Sequence, residues 1–220
     1  MSDGFEDLIN HSNAFFGQLA KNNTRQWFEA HKPDYTDNIK KPALLLAEIM
    51  ADELRRLTGK SHAPKLFRIH RDVRFSKDKT PYNAHLHLMW SSGSDGAPVW
   101  FFGSAPDYLT VGMGVMGFRG AGLTRFREFV DREGDALAAL LADVKATNDT
   151  RLSDWGPEPL KRVPKPFAPD HPQADLLRRK NLVVSANLPE NWRKSGLLAS
   201  LHGRMEGMLS LWQMLDSEFG

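Results

Sequence analysis

At Leu66 the apolar residues of this chain stop recurring every three or four positions and begin recurring every second one, and one kind of element cannot carry both periods. Before that point the pattern is helical. Asn23 with Gln26 three positions on reads as a capping box opening a short helix over Thr24–His31. Pro42 then suits the first turn of a longer helix whose Leu46, Met50, Leu54 and Leu57 make one stripe, and Gly59 stops it. After the change, apolar stretches near 66–75, 84–90, 98–104 and 107–116 are separated by Lys77-Asp78-Lys79-Thr80-Pro81, by Ser91–Gly96 and by Ala105-Pro106-Asp107. Such short connections predict an antiparallel meander. Helical patterns return near 122–133 and 135–146, followed by a proline-rich stretch over 155–172, a short helix to about Lys180 and a strand over Leu182–Ala186. Leu197, Leu201, Met205, Met208, Trp212 and Leu215 close the chain as one stripe suited to packing on a sheet. The expectation is a single α+β domain over residues 1–220, an antiparallel sheet meander flanked by N-terminal helices and a long C-terminal helix.

Composition narrows the function classes. With 220 residues, 41% hydrophobic and 25% charged, the chain can bury a core. A net charge of +2 does not indicate a polybasic nucleic-acid binder. It has no cysteine, which excludes disulfides, thiolate zinc sites and a cysteine nucleophile and points to the cytoplasm. The opening Met1–Asp7 is acidic where a signal peptide is basic, and apolar runs such as Ala43–Ala47 are too short to span a membrane.

Charge is nonetheless segregated. Residues 65–79 carry six cations and two acids, residues 160–180 again six and two, so each stretch is +4 and the remainder is −6. If residues 67–75 form a strand, Phe67, Ile69, Val73 and Phe75 share one face and Arg68, His70, Asp72 and Arg74 the other. Arg71 then falls on the apolar face and must find a carboxylate, a cavity or a bulge. One aspartate cannot neutralise Arg68, Arg74 and Lys79, and a phosphate or carboxylate would complete the set because arginine forks match such groups. A structural lattice of internal ion pairs is the alternative.

Other constellations carry less. His85 and His87 share a strand face in a relation that can hold a metal with a third ligand such as His70, but no metal site is assigned. Gly112-Met113-Gly114-Val115-Met116-Gly117 spells GxGxxG without the helix start and parallel βαβ context of a dinucleotide site, so its glycines are read as points of close approach. Ser76-Lys77-Asp78-Lys79 spells SxxK, yet Thr80-Pro81 forces a turn. In Leu160–Pro172, prolines stiffen a loop holding Lys161, Arg162, Asp170 and His171. Asp170 is either a helix cap or a partner of His171 in proton transfer.

The pieces Asn22-Asn23, Trp27-Phe28-Glu29, Tyr35, the run Phe67–Tyr82, Leu160-Lys161-Arg162, Pro164, Phe167, Asp170-His171-Pro172, Leu176-Leu177 and Lys180 together resemble a bacterial and fungal family called domain of unknown function 2461. The chain departs from that family's usual pattern at Asn83, His87 and Pro166. The resemblance implies one domain bearing both basic clusters, and no reaction, cofactor or catalytic residue. From the residues themselves, the leading expectation is that the clusters converge on a cleft for an anionic small molecule. Arg71, Arg74, Lys79 and Lys161 would hold it, and Asp72 or Asp78 would orient the arginines. His171 with Asp170 would move protons, chemistry that suits hydrolysis or transfer at a phosphate or carboxylate ester. The alternative is a non-catalytic module docking an acidic protein or a nucleic-acid backbone. Nothing in the sequence selects a substrate, a cofactor or an oligomeric state.

Overall fold

The computed structural model describes residues 3–93, 96–153 and 155–220, so Met1-Ser2 and the tip Ser94-Asp95 of the second predicted loop lie outside the described residues. In chain order it has α1 (Glu6–Lys21), α2 (Arg25–Asp34), a π-helical turn (Tyr35–Lys40), α3 (Lys41–Thr58), β1 (Ala63–Leu66), β2 (Leu86–Ser91), β3 (Val99–Ala105) and β4 (Tyr108–Val115). Then come α4 (Gly120–Asn148), β5 (Arg151–Leu152), α5 (Ala174–Arg178), β6 (Leu182–Asn187), α6 (Trp192–Ser195), α7 (Leu197–Glu206) and α8 (Leu209–Phe219). The strands make one antiparallel sheet in the order β1-β2-β3-β4-β6-β5 and the fold is α+β; β2, β3 and β4 are the last three strands of the predicted meander, whereas β1 ends at Leu66, where its first strand was expected to start. At its far edge β5 pairs with β6 antiparallel, Arg151 opposite Ser185 and Leu152 opposite Val184.

The described residues group into two compact units. The first comprises Met1–Trp90, Phe101–Val111 and Asn187–Gly203. Its core is aromatic: Phe15 packs against Phe16, Trp27, Phe28 and Tyr35, and Phe28 stacks on Tyr82 with ring centres 4.3 Å apart. Leu46, Met50 and Leu54 of α3 are buried as the stripe predicts, and the Trp90 indole donates to the Ala47 carbonyl at 2.8 Å. The helix cap differs from expectation. Thr24, not Asn23, accepts from the Trp27 N–H at 3.2 Å, while Asn23 pairs with the backbone of Tyr82 through both sides of its amide. Pro42 does sit in the first turn of α3, although α2, the π turn and α3 run on without a break. Pro33 and Pro42 bracket the π turn, and neither can donate the backbone bond of a regular α-turn.

The second unit comprises Ser91–Trp100, Gly112–Ala186 and Arg204–Gly220. Two helices were expected where α4 runs unbroken for 29 residues. Gly134 marks a close approach: a Cβ there would lie 2.8 Å from the Gln173 side chain. Gly114, the middle glycine of the GxGxxG run, has φ +141°, and a Cβ on it would collide with the Leu182 carbonyl and lie 2.7 Å from Val183 Cα. The glycine thus serves the contact of β4 with β6. All six residues of the closing stripe are buried. Its helical course is interrupted at Gly207-Met208, where Gly207 lies against the Asn148 amide.

Candidate functional site

Within the run Phe67–Tyr82, residues 67–75 are not the strand their alternation predicts. Only the isolated bridge His70–Tyr82 is sheet-like, and the stretch between them is an irregular loop. Consequently the expected apolar face dissolves: Ile69 is buried, but Phe67 is 42% exposed and Phe75 is 96% exposed. Local charge pairing holds the loop instead. The Arg71 guanidinium, about a quarter exposed, donates to Asp78 at 2.5 Å and to the Thr80 carbonyl and hydroxyl. The Thr80 N–H, then Arg71, hold the Asp78 carboxyl down at about 2. Arg74 grips Asp72 through Nε at 2.9 Å and Nη2 at 2.7 Å and thereby lowers that carboxyl as well. Lys79 donates to the Val73 carbonyl at 3.0 Å. Three of the four cations expected to hold an anion are therefore engaged within their own loop. Arg71 has found the carboxylate that its position demanded.

Beside this loop the first unit contains a cleft of about 530 Å³. Its apolar wall is Phe28, Tyr35, Leu44, Leu66, Phe67 and Ile69. Lys32, Lys40, Lys65 and Arg68 bring positive charge, with Thr36 and His70 completing the lining. No carboxylate is among the described residues that line it. Lys32 is paired with Glu29 at 3.1 Å. The side chains of Lys40, Lys65 and Arg68 make no hydrogen bond or ion pair among the described residues, and the Lys65 amine sits 5.1 Å above the Phe67 ring.

Backbone winding explains how Tyr35 and Lys40 come to face one hollow. In an α-helix, residues five apart point about 140° away from each other. A π turn joins residue i to i+5, here the Lys41 N–H to the Thr36 carbonyl, and brings such a pair onto one side. Burial raises the Tyr35 hydroxyl above its usual range, so it stays a protonated donor at neutral pH, and it has no hydrogen-bond partner among the described residues. Sequence reasoning missed Lys32, Tyr35 and Lys40, since a helical segment of mixed polarity gives no sign of π winding. It did place Lys65 and Arg68 in the first basic cluster.

The second cluster lies in the second unit. Lys161 and Asp170 are exposed on the loop before α5 and make no side-chain bond among the described residues. His171 does not pair with Asp170. Its Nε2 faces Asp131 at 3.2 Å, and its Nδ1 accepts the Gln173 N–H at 2.9 Å. A backbone N–H can only donate, so Nδ1 carries no proton, Nε2 carries the ring hydrogen, and both nitrogens are occupied in anchoring the start of α5 to α4. Asp131 and His171 also line a smaller hollow of about 360 Å³ with Arg132 and Asp135.

A third arrangement lies on the first unit's part of the sheet. His85 and His87 stack with ring centres 3.9 Å apart, and His87 Nε2 meets the Tyr108 hydroxyl at 2.7 Å across Gly103, where a Cβ would lie 3.0 Å from the His87 ring. Burial, then the neighbouring His85, push His87 down to about 4, while burial, then Asp107, push Tyr108 up to about 12. Both shifts favour a neutral pair. Among the described residues no group of three or more histidines or carboxylates is placed to hold a metal, and no described helix is long and apolar enough to cross a membrane.

A search of curated proteins returned no match. A family model does match, that of a conserved hypothetical protein, DUF2461, over residues 11–213. That span takes in both the aromatic core with its cleft and the Asp131–His171 contact. The chain is a member of the DUF2461 family.

Proposed function

We propose that the first unit binds an anionic small molecule, bearing phosphate or carboxylate, in the cleft between the π turn and the stretch formed by β1 and the residues following it. The observation that carries this reading is that Lys40, Lys65 and Arg68 surround one hollow with no carboxylate among its described lining residues. Three cations brought together repel one another, and a guest anion relieves that cost, with the Arg68 fork matching two of its oxygens. The Tyr35 hydroxyl supplies a neutral donor. His70 brings an imidazole to the same lining, so transfer or hydrolysis at the bound group belongs to this proposal. A cytoplasmic setting also belongs to it, supported by the lack of cysteine.

A thermal-shift screen of phosphorylated and carboxylated metabolites on wild type and on Lys65→Ala/Arg68→Ala tests it. A ligand at a hundred times its dissociation constant stabilises by about 2.7 kcal/mol, a rise of several degrees. The expected result is at least one such ligand whose effect vanishes in the double variant; equal shifts in both proteins contradict the reading.

A second reading, docking of an acidic protein or nucleic-acid backbone, is favoured by Phe75, bare at the loop tip with Arg74 above its ring. Phe75→Ser would weaken such docking and leave small-molecule binding in the cleft unchanged.

A further inference from the structure

We infer that the guest of this cleft is an organic anion with an apolar body, an aryl or acyl group bearing one phosphate or carboxylate head, rather than a bare inorganic or densely hydroxylated anion. The inference rests on the anion-binding reading and names its substrate class. A volume of about 530 Å³ falls within the range of about 300–1,000 Å³ usual for small organic ligands, and an inorganic phosphate would fill only a small part of it. What remains is walled by apolar groups. Phe28, Tyr35 and Ile69 are themselves buried in the core, which makes that part of its surface rigid.

Leu44 and Phe67 are different. Each is 42% exposed, and both lie on this one cleft. Two large apolar side chains left wet beside unpaired cations form a surface that water serves poorly and that a hydrated sugar phosphate would not improve. A guest carrying its own apolar surface covers both. The positions of the cations agree: the Lys65 amine lies over the Phe67 ring, so a head group meeting Lys65 sets its attached body against that ring.

Calorimetric titration of the full chain with matched probes tests the inference: inorganic phosphate against phenyl phosphate, and acetate against phenylacetate. Wild type is compared with Leu44→Ser/Phe67→Ser and with Lys65→Ala/Arg68→Ala. All these positions are solvent-exposed, and circular dichroism checks that each variant folds. The expected result is that the aryl member of at least one pair binds at least tenfold more tightly than its bare partner. The serine variant should lose that advantage, and the alanine variant should bind neither member of the pair. Equal affinity within both pairs overturns the inference while leaving the anion-binding reading standing. Binding of no anion, or binding unaffected by Lys65→Ala/Arg68→Ala, overturns both.

Discussion

A single histidine sets the clearest pH dependence of this molecule. The unfolded chain takes up a proton on the His87 ring below about pH 6.5, whereas the folded chain does so only near pH 4 because burial and the adjacent His85 oppose the charge. Between those values the unfolded state binds more protons, so this contribution to stability is complete above pH 6.5 and is lost as the pH falls toward 4. A ring held near 4 when folded contributes roughly 3 kcal/mol of stability at neutral pH. His87→Gln, which can still bond to Tyr108, should therefore show a smaller loss of urea-measured stability than wild type between pH 6.5 and 4, and matching pH profiles would refute the assignment. Asn23 offers a second test. Its amide completes the backbone hydrogen bonding of Tyr82 on both sides, at 2.9 and 3.1 Å, so Asn23→Ala should cost about 1–3 kcal/mol in chemical denaturation. A cost near zero would mean that water replaces the amide without penalty. Neither role is written in the residue type. A histidine on an alternating strand reads as an ordinary polar position, and an asparagine before a helix reads as a cap.

At the level of elements, strongly periodic segments were the legible ones. The α3 stripe, the alternation of β2 and the closing stripe are all placed as their spacing implies, because each buries one face against a large core. Two kinds of segment misled. Phe67–Phe75 alternates like a strand, yet its charges find partners within the loop at Asp72, Asp78 and Thr80, so local pairing overrides the pleat. Gly134 falls in the gap between the two helical patterns, yet it lies inside α4, and its missing side chain leaves the space that Gln173 occupies. Gly114 is the sharpest case, since its backbone angle and its contact with Leu182 both exclude a Cβ. Gly114→Ala should lower stability by more than about 3 kcal/mol, in the tail of single-substitution effects. Gly117→Ala, where nothing crowds the added atom, should change it little. Similar denaturation midpoints for the two variants would contradict the close-approach reading.

For the molecule as a whole, a net charge of +2 conceals the feature on which its function is argued, a local excess of cations gathered by folding. Lys65 and Arg68 were visible as part of a basic run, but Lys40 and Tyr35 join them only through the π turn, whose winding no periodicity announces. Because the cleft is open to solvent, the electrostatic part of binding should be screened: raising ionic strength from about 0.01 to 0.15 M shortens the Debye length from about 30 to 8 Å. The affinity of wild type for phenyl phosphate should fall across that range, and that of Lys40→Ala should fall less; parallel curves would remove Lys40 from the site. The most direct measurement is a crystal of the full chain soaked in tungstate, whose anomalous scattering locates an anion without reference to its chemistry. The account predicts a peak in the cleft, within reach of Lys65 and Arg68, that disappears in Lys65→Ala/Arg68→Ala. Peaks confined to other surfaces, with this hollow empty, would contradict it.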